Sequence, residues 1–448
     1  MKGILKLFYY LYWFLSGLRY RAQRRLTQPG LVVASSLLVV AMTGLDPEIS
    51  AAYQAFTLLA CFLLVSFAFT WPFRARFSAH RALPRFGTVG CPLSYRVRVG
   101  NLSSGLQKGL TLLEDLADPR PSFSDWLALQ AADGKRLRSF QLSQRRNPNP
   151  FRLATVKHAE VPALPAGEET ELSVEVTPLR RGILRFEGVT LARPDPLGLM
   201  RALVTVRLPQ TLLVLPRRYP VPPLALPGSR KYQEGGVAFA SSVGHSEEFM
   251  SLRDYRHGDP LRHIHWRTWA RAGRPVVKEF QDEFFVRHAL VLDTFTDDPH
   301  SEAFEEAVSV AASFVCTIQT QESLLDLLFV GPHSYCLTAG RGLAHSDQML
   351  EILASVRPCL DRQFITLERL VLNHVRAVSG CICVLVAWDE DRRDFVRHLL
   401  SLGVPVLVVV VVGRGQNRSL DAGPLQVQPE RFHVLEAGQI ERGLARLN

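Results

Sequence analysis

Two aspartates stand where strongly apolar strands are predicted to end, and together they could hold a divalent cation. Asp293 follows the apolar run Ala289–Leu292, and Asp389 follows a second run that ends at Trp388. Ligands of an open α/β sheet bind beyond the carboxyl ends of its strands, so both carboxylates are expected at one edge. Asp297 adds a third carboxylate, the kind of ligand that Mg²⁺ prefers.

Phe295 weakens this predicted metal site, because its ring offers no oxygen to a hard cation. Mg²⁺ needs about six oxygen ligands, and water would have to supply most of them here. Three carboxylates alone would raise one another's pKa, so a cation or nearby arginines must compensate their charge. We therefore expect no cofactor beyond weakly bound Mg²⁺. In the alternative, Asp293 and Asp389 cap the neighbouring helices and solvate the strand ends.

The densest group of charged and aromatic residues is the segment 248–285, which we call the marker segment. Its middle is predicted to be a helix, with Asp259 as the cap, Pro260 in the first turn and Gly273 at the end. A strand over 276–280 is predicted to follow. The candidate residues for a partner-binding or interdomain surface are Arg253, Tyr255, Asp259, Arg262, Trp266, Arg267 and Arg271.

Two uses of this surface stay open. Its arginines could form bidentate ion pairs that fix one domain against another, with acids from the set Asp254, Asp259, Asp282 and Glu283. They could instead face a partner protein, because Arg and Trp are enriched at binding hot spots. Trp266 is expected to be buried between two domains, where truncation of an indole would cost about 3–5 kcal/mol.

Histidines and serines near the marker segment suggest a hydrolase as the alternative function, with His245 or His257 as the base. No Gly-x-Ser-x-Gly elbow is present, and His263 and His265 would point about 200° apart on a helix, which excludes a chelating pair there. The seven cysteines form no Cys-x-x-Cys pair and are expected to be reduced, structural thiols. We expect no enzyme activity.

The N-terminal part of the chain carries membrane signals. Residues 30–45 and 51–71 are two uncharged apolar runs with a short acidic turn between them, which predicts a transmembrane helical hairpin within residues 30–73. Apolar and aromatic residues at 4–18, in the segment 1–29, predict an interfacial helix, with a third short span as the alternative.

The distribution of charge predicts the orientation in the membrane. The formal net charge is +10, and residues 1–85, with ten cations and two acids, contribute +8 of it. These cations flank the two apolar runs, so the termini and main domains of this multi-pass protein are expected in the cytoplasm. The basic excess is thus a topology signal, and the lipid bilayer rather than nucleic acid is the expected partner.

The remaining sequence predicts two further domains, so the fold class is α+β multidomain. Residues 77–215 contain short alternating runs separated by turn residues, Gly188 among them, which predict an immunoglobulin-like antiparallel β-sandwich. The Pro-rich residues 216–247 predict a linker. Residues 286–448 alternate near-continuous apolar runs with helical patterns, which predicts a doubly wound α/β domain around a parallel sheet.

The marker segment also carries a family resemblance. It is similar to the bacterial family known as domain of unknown function fifty-eight, whose motif runs Glu-Phe-x-x-Leu-Arg-x-Tyr-x-x-Gly-Asp-x-x-Arg-x-Ile-x-Trp. The matching residues are Glu248, Phe249, Leu252, Arg253, Tyr255, Gly258, Asp259, Arg262, Ile264 and Trp266. Arg181-Gly182 and Asp195–Leu199 match a second family element, and Trp269 departs from the usual Ser or Thr.

The layout of residues 286–448 resembles a von Willebrand factor A domain, whose metal-site pattern Asp-x-Ser-x-Ser is only partly kept from Asp293 to Asp297. The family resemblance also implies partners, since members are commonly encoded beside MoxR-type AAA+ ATPases and transglutaminase-like membrane proteins. We therefore expect a non-enzymatic adaptor or assembly factor in the bacterial inner membrane, whose cytoplasmic domain binds such a protein.

Overall fold

The computed structural model describes residues 2–43, 50–118, 120–127, 130, 152–222, 249–257, 259, 261–280, 286–318, 323–340, 343–415 and 420–447. The chain divides into two compact units. The first comprises Met1–Arg217, Asp297–Ser301 and Leu350–Val356, and the second comprises Arg218–Thr296, Glu302–Met349 and Arg357–Asn448. The acidic turn predicted between the two apolar runs lies outside the described residues, as does the predicted linker after residue 222.

Three helices begin the chain: α1 (Lys2–Arg25), α2 (Gln28–Thr43) and α3 (Ser50–Thr70). In the described part of the chain, one helix is long and apolar enough to cross a membrane, over Ala52–Thr70 of α3. The 16 residues of α2 extend roughly 24 Å, less than the roughly 30 Å of a hydrocarbon core. The sequence predicted two transmembrane helices, the first of them short; of α2 and α3, only α3 reaches the length of a span by itself.

Residues 77–215 form two sheets around one core. The strands are β1 (Phe77–Ala82), β2 (Phe86–Thr88), β3 (Leu93–Asn101), β4 (Leu110–Leu116), β5 (Ala154–Val156), β6 (Ala159–Val161), β7 (Glu169–Pro178), β8 (Gly182–Pro194) and β9 (Arg201–Leu215). One sheet has the order β1-β3-β7-β5 and the other β2-β9-β8-β4-β6, with every pair antiparallel except β2 with β9. Apolar side chains that alternate along the strands of both sheets meet in a shared core.

Strand β8 corrects one prediction. Gly188 was predicted to be a turn between two short strands, but β8 runs through it with a shift of register against β9. A Cβ at Gly188 would lie 2.5 Å from the carbonyl oxygen of Val206, so this position requires glycine. A glycine can therefore mark a close backbone approach within a strand as well as a turn.

A buried ion pair crosses the interior of this sandwich. Arg81 of β1 donates to Glu114 of β4 from Nε at 3.1 Å and from Nη2, and both side chains are completely buried. The guanidinium also donates to the carbonyl oxygens of Leu208 and Gly188 and lies over the ring of Phe186. Burial raises the pKa of the Glu114 carboxyl, and Arg81 opposes that rise.

The marker segment forms a small two-stranded unit. It contains β10 (Phe249–Asp254), a 3₁₀ turn (Leu261–His263), α4 (Trp266–Ala272) and β11 (Val276–Phe280). Strands β10 and β11 pair antiparallel, and Ile264 bridges to Val277. The predicted helix from Pro260 is therefore wrong at its start, since α4 begins six residues later. Its predicted end is confirmed, because Gly273 closes α4 in the left-handed conformation at φ 68°.

A six-stranded sheet organises residues 286–448. Its strands are β12 (Val286–Leu292), β13 (Ser323–Val330), β14 (Ser334–Ala339), β15 (Gly380–Leu385), β16 (Val406–Val412) and β17 (Phe432–Glu436), in the order β14-β13-β12-β15-β16-β17. All neighbours are parallel except β14, which pairs antiparallel with β13. The parallel strands β15 and β16 are buried along nearly their whole length, as the sequence predicted, whereas β14 and β17 were not predicted.

Helices connect these strands. They are α5 (Glu302–Thr317), α6 (Leu343–Ser355), α7 (Ile365–His374), α8 (Glu390–Ser401) and α9 (Ile440–Leu444), with 3₁₀ turns at Val375–Ala377, Gly423–Leu425 and Pro429–Arg431. Cys381 and Cys383 of β15 are buried, and burial raises the pKa of the Cys381 thiol to about 12. A thiol with that pKa stays protonated and unreactive at neutral pH, in agreement with the predicted structural role.

Candidate functional site

The carboxyl ends of β12 and β15 carry a buried cluster centred on Asp293. One Asp293 oxygen accepts from the amide of Phe295 at 2.9 Å, and the other accepts from the amide of Val386 at 3.2 Å. The side chain is completely buried directly after β12. Burial raises the pKa of this carboxyl, and the two amides and a neighbouring guanidinium oppose the rise.

That guanidinium belongs to Arg392, which enters the cluster from the first turn of α8. Its Nε donates to Asp293 Oδ2 at 2.7 Å, its Nη1 donates to Asp389 Oδ2 at 2.5 Å, and its Nη2 donates to the carbonyl oxygen of Phe295 at 3.2 Å. The side chain is 7% exposed, and its guanidinium carbon lies 4.7 Å from the ring centre of Phe364. One buried arginine thus joins both strand-end aspartates.

Besides binding Arg392, Asp389 caps α8, the helix that carries this arginine. Its Oδ1 accepts from the amide of Arg392 at 3.2 Å, as an N-cap side chain does. The helix N-terminus also favours a negative charge at this position. Asp389 therefore fixes both the start of α8 and the direction of the Arg392 side chain.

The expected magnesium site does not fit this arrangement. Asp293 and Asp389 are joined through Arg392, whereas Asp297 is exposed. Arg392 occupies the space between those two carboxylates and supplies the positive charge that a cation would bring. In the part of the chain that the structure describes, no three His, Cys, Asp or Glu side chains form a metal-binding group.

Arg392 was not predicted from the sequence, although a signal was present. A cation three residues after a strand-end aspartate lies one helical turn away, so its side chain can reach back to the strand ends. The requirement for arginines to neutralise these carboxylates was also evident. The separation of 99 residues between Asp293 and Arg392 hid the pairing.

A second candidate surface lies on the marker segment, where one ion pair holds the loop before α4. Arg253 donates to both oxygens of Asp259, at 2.7 and 2.8 Å, and Asp259 also accepts from the amide of Arg256 at 2.8 Å. Arg253 and this amide hold the pKa of the Asp259 carboxyl at about 2. Asp259 is thus a loop acceptor, not the predicted helix cap; the N-cap of α4 is His265.

Trp266 corrects the prediction that this indole is buried between two domains. Its side chain is 65% exposed, and its ring stacks on that of half-buried Trp269 with centroids 5.1 Å apart and planes 18° from parallel. Arg267 and Arg271 on the same short helix are exposed as well, and Tyr255 is half-buried. The α4 helix therefore presents stacked aromatic surface and cations to its surroundings.

Of the histidines in the marker segment, His257 and His265 make no hydrogen bond to a serine among the described residues. His257 is exposed in the loop before α4, and His265 pairs through Nδ1 with the hydroxyl of Thr268 at 2.7 Å. His245 and its neighbouring serines lie outside the described residues, as do Gly258, Pro260, Asp282 and Glu283 and the side chain of Arg262. No catalytic pair of His257 with a serine is formed among the described residues.

Comparisons with known proteins give a family and one curated relative. Residues 251–440 match the profile of the family described as protein of unknown function DUF58. The chain is also 30% identical over 187 residues to the uncharacterized protein YeaD of Bacillus subtilis (strain 168), a match that covers 41% of this chain and 45% of that protein. The chain thus matches less than half the length of this relative.

Two solved structures illustrate distant likenesses to part of the chain. A Salmonella alpha-2-macroglobulin mutant is 16% identical over 31% of this chain and 7% of its own, with a TM-score of 0.19. A beta-glucosidase from Listeria innocua is 16% identical over 31% of this chain and 16% of its own, with a TM-score of 0.17. TM-scores this low do not define a shared fold.

Proposed function

Because residues 251–440 belong to the DUF58 family, we propose that this chain is a membrane-anchored adaptor or assembly factor that binds another protein and has no catalytic activity of its own. The observation that carries the proposal is the stacking of exposed Trp266 on half-buried Trp269. Tryptophan and arginine are the residues most enriched at binding hot spots, and α4 presents both. The partner class proposed is a MoxR-type AAA+ ATPase, with a transglutaminase-like membrane protein as a further member of the assembly.

The arrangement at the strand ends supports a binding function over catalysis. Arg392 fills the position beyond the carboxyl ends of the strands, where an open α/β sheet takes its ligands. In the proposed von Willebrand factor A-like domain, a fixed guanidinium thus replaces the metal ion. The two packed sheets of residues 77–215 support an immunoglobulin-like sandwich as a further domain of the chain.

A helical hairpin in the bacterial inner membrane is the proposed anchor. α3 is long enough to span a bilayer, and α2 contacts α3. The shorter α2 completes the hairpin where the bilayer thins locally or where flanking residues extend α2. The cations that flank the two helices favour cytoplasmic termini, because ten of them would otherwise have to cross the bilayer.

This topology predicts an inactive reporter in the cytoplasm. Alkaline phosphatase fused after Arg85 is expected to show no activity above background, because the enzyme matures only on the outer face of the inner membrane. A fusion in the turn at residue 47 is expected to be active and serves as the positive control. High activity after Arg85 would contradict the orientation.

The partner surface predicts a loss of binding without a loss of stability. Trp266→Ala in the full chain is expected to weaken co-purification of a MoxR-type ATPase in mild detergent by about tenfold, since hot-spot truncations commonly cost 1–2 kcal/mol or more. The thermal melt should not change, because the indole is 65% exposed. Leu402→Ala, an exposed apolar side chain on another surface, is the matched control. Equal recovery of the ATPase by both variants, or none by the parent chain, would end the proposal.

A further inference from the structure

The turn between β8 and β9 is fastened to the N-terminal helices by buried polar contacts. Asp195 begins the turn and accepts from the amides of Leu197 and Met200 at 3.2 and 2.8 Å. The same carboxylate accepts from the hydroxyl of Ser66, which is completely buried on α3. A residue inside the candidate membrane span thus contacts the tip of a sandwich hairpin.

The start of α2 is joined to the same turn. The amide of Thr27 donates to the carbonyl oxygen of Leu199 at 3.0 Å. The hydroxyl of Thr27 donates to the carbonyl oxygen of Gly198. A Cβ on Gly30 would lie 1.9 Å from the Leu199 oxygen, so only glycine permits this approach. The turn therefore sits where α2 begins and α3 ends.

These contacts fix the depth of the turn relative to the span. Ser66 lies four residues before Thr70, the end of α3, which corresponds to roughly 6 Å along the helix axis. With α3 across a bilayer, the turn is level with the last helical turn of the span, where phospholipid headgroups lie. Its outermost side chains are exposed: Pro196, and Leu197 at 44%.

Cations stand on both arms of the hairpin beside this apolar tip, and the acid of the turn itself, Asp195, already has partners. Arg193 and Arg201 stand on the two arms of the hairpin, and the Arg193 guanidinium carbon lies 4.1 Å from the ring centre of Phe73, just after α3. Further arginines lie in the C-terminal part of α1, at positions 19, 21 and 25, and after α3, at positions 74 and 76. Asp195 is held by Ser66 and backbone amides, and Asp115 is paired with Arg24. The charge that complements this surface is negative.

We propose that the β8–β9 turn, residues 195–200, is a lipid-contacting element of the sandwich. Leu197 lies among the headgroups of anionic phospholipids, while Arg193 and Arg201 bind their phosphates, as basic side chains beside a membrane do. This inference rests on the proposed membrane anchor and adds a second point of contact, which holds the sandwich in one orientation on the bilayer. The buried contacts of Thr27, Ser66 and Asp195 position the turn for this role.

Photocrosslinking of the full chain in vesicles tests the proposal. Leu197→benzoylphenylalanine is compared with Ile183→benzoylphenylalanine, because Ile183 is 56% exposed on the same hairpin but about 11 residues, or roughly 35 Å, from the turn. In phosphatidylcholine vesicles that contain phosphatidylglycerol, the probe at 197 is expected to give about fivefold more lipid adduct than the probe at 183. Omitting phosphatidylglycerol, or adding Arg193→Gln with Arg201→Gln, should remove most of that excess.

The outcomes separate this inference from the proposed anchor. A chain that floats with vesicles but gives equal lipid adduct at both positions would overturn the lipid contact and leave the anchor standing. Crosslinking of position 197 mainly to a second copy of the chain would assign the turn to a protein interface instead. A chain that fails to float would overturn the anchor and this inference together.

Discussion

Replacing Arg392 with methionine is expected to lower the free energy of unfolding by about 3–5 kcal/mol, because it leaves a buried carboxylate without its partner. Asp293 is completely buried, and only two backbone amides would remain to stabilise its charge. The variant also loses the hydrogen bond to the carbonyl oxygen of Phe295. Equilibrium denaturation of the full chain in mild detergent measures the change.

Two further variants distinguish the loss of the buried ion pair from a general effect of removing a positive charge. Arg397→Met, on the same helix but 58% exposed, is expected to cost no more than about 1 kcal/mol, although Arg397 also pairs with acids. Adding Asp293→Asn to Arg392→Met should recover part of the loss, since the unpaired buried charge is removed. Equal effects of Arg392→Met and Arg397→Met would show that Arg392 does not compensate Asp293.

The sandwich carries a second buried pair with an expected effect of similar size. Arg81→Met should destabilise the first unit by about 3–5 kcal/mol, because Glu114 would be left completely buried without its cation. The Leu208 and Gly188 carbonyl oxygens would also lose the donors that Arg81 supplies. The change should appear as a lower denaturation midpoint of the full chain.

Arg96→Met provides the matched control for this pair. Arg96 lies on the neighbouring strand β3, is 76% exposed and pairs with Glu171 at 3.6 Å, so its replacement should change stability by less than about 1 kcal/mol. Adding Glu114→Gln to Arg81→Met should recover part of the loss, because an uncharged amide can stay buried at lower cost than a lone carboxylate. A midpoint that stays the same in Arg81→Met would mean that water reaches Glu114.

Elements with a strong local pattern were predicted well from the sequence. Near-continuous apolar runs identified β12, β13, β15 and β16, because only strands buried on both faces need such runs. The edge strands β14 and β17 were missed, since edge positions impose a weaker pattern. In the marker segment, the glycine at the end of α4 was recognised from its local chemistry, whereas the start of the helix was not.

For the candidate sites too, the sequence predicted local features but not long-range contacts. The sequence placed Asp293 and Asp389 at strand ends and showed that their charge must be compensated, and it marked α4 as rich in tryptophan and arginine. Only the tertiary structure decided that Arg392, 99 residues from Asp293, provides the compensating charge, and that the indole of Trp266 is exposed. Strand and cap patterns depend on neighbours along the chain. The partner of a buried charge and the exposure of a side chain depend on which distant segments pack together.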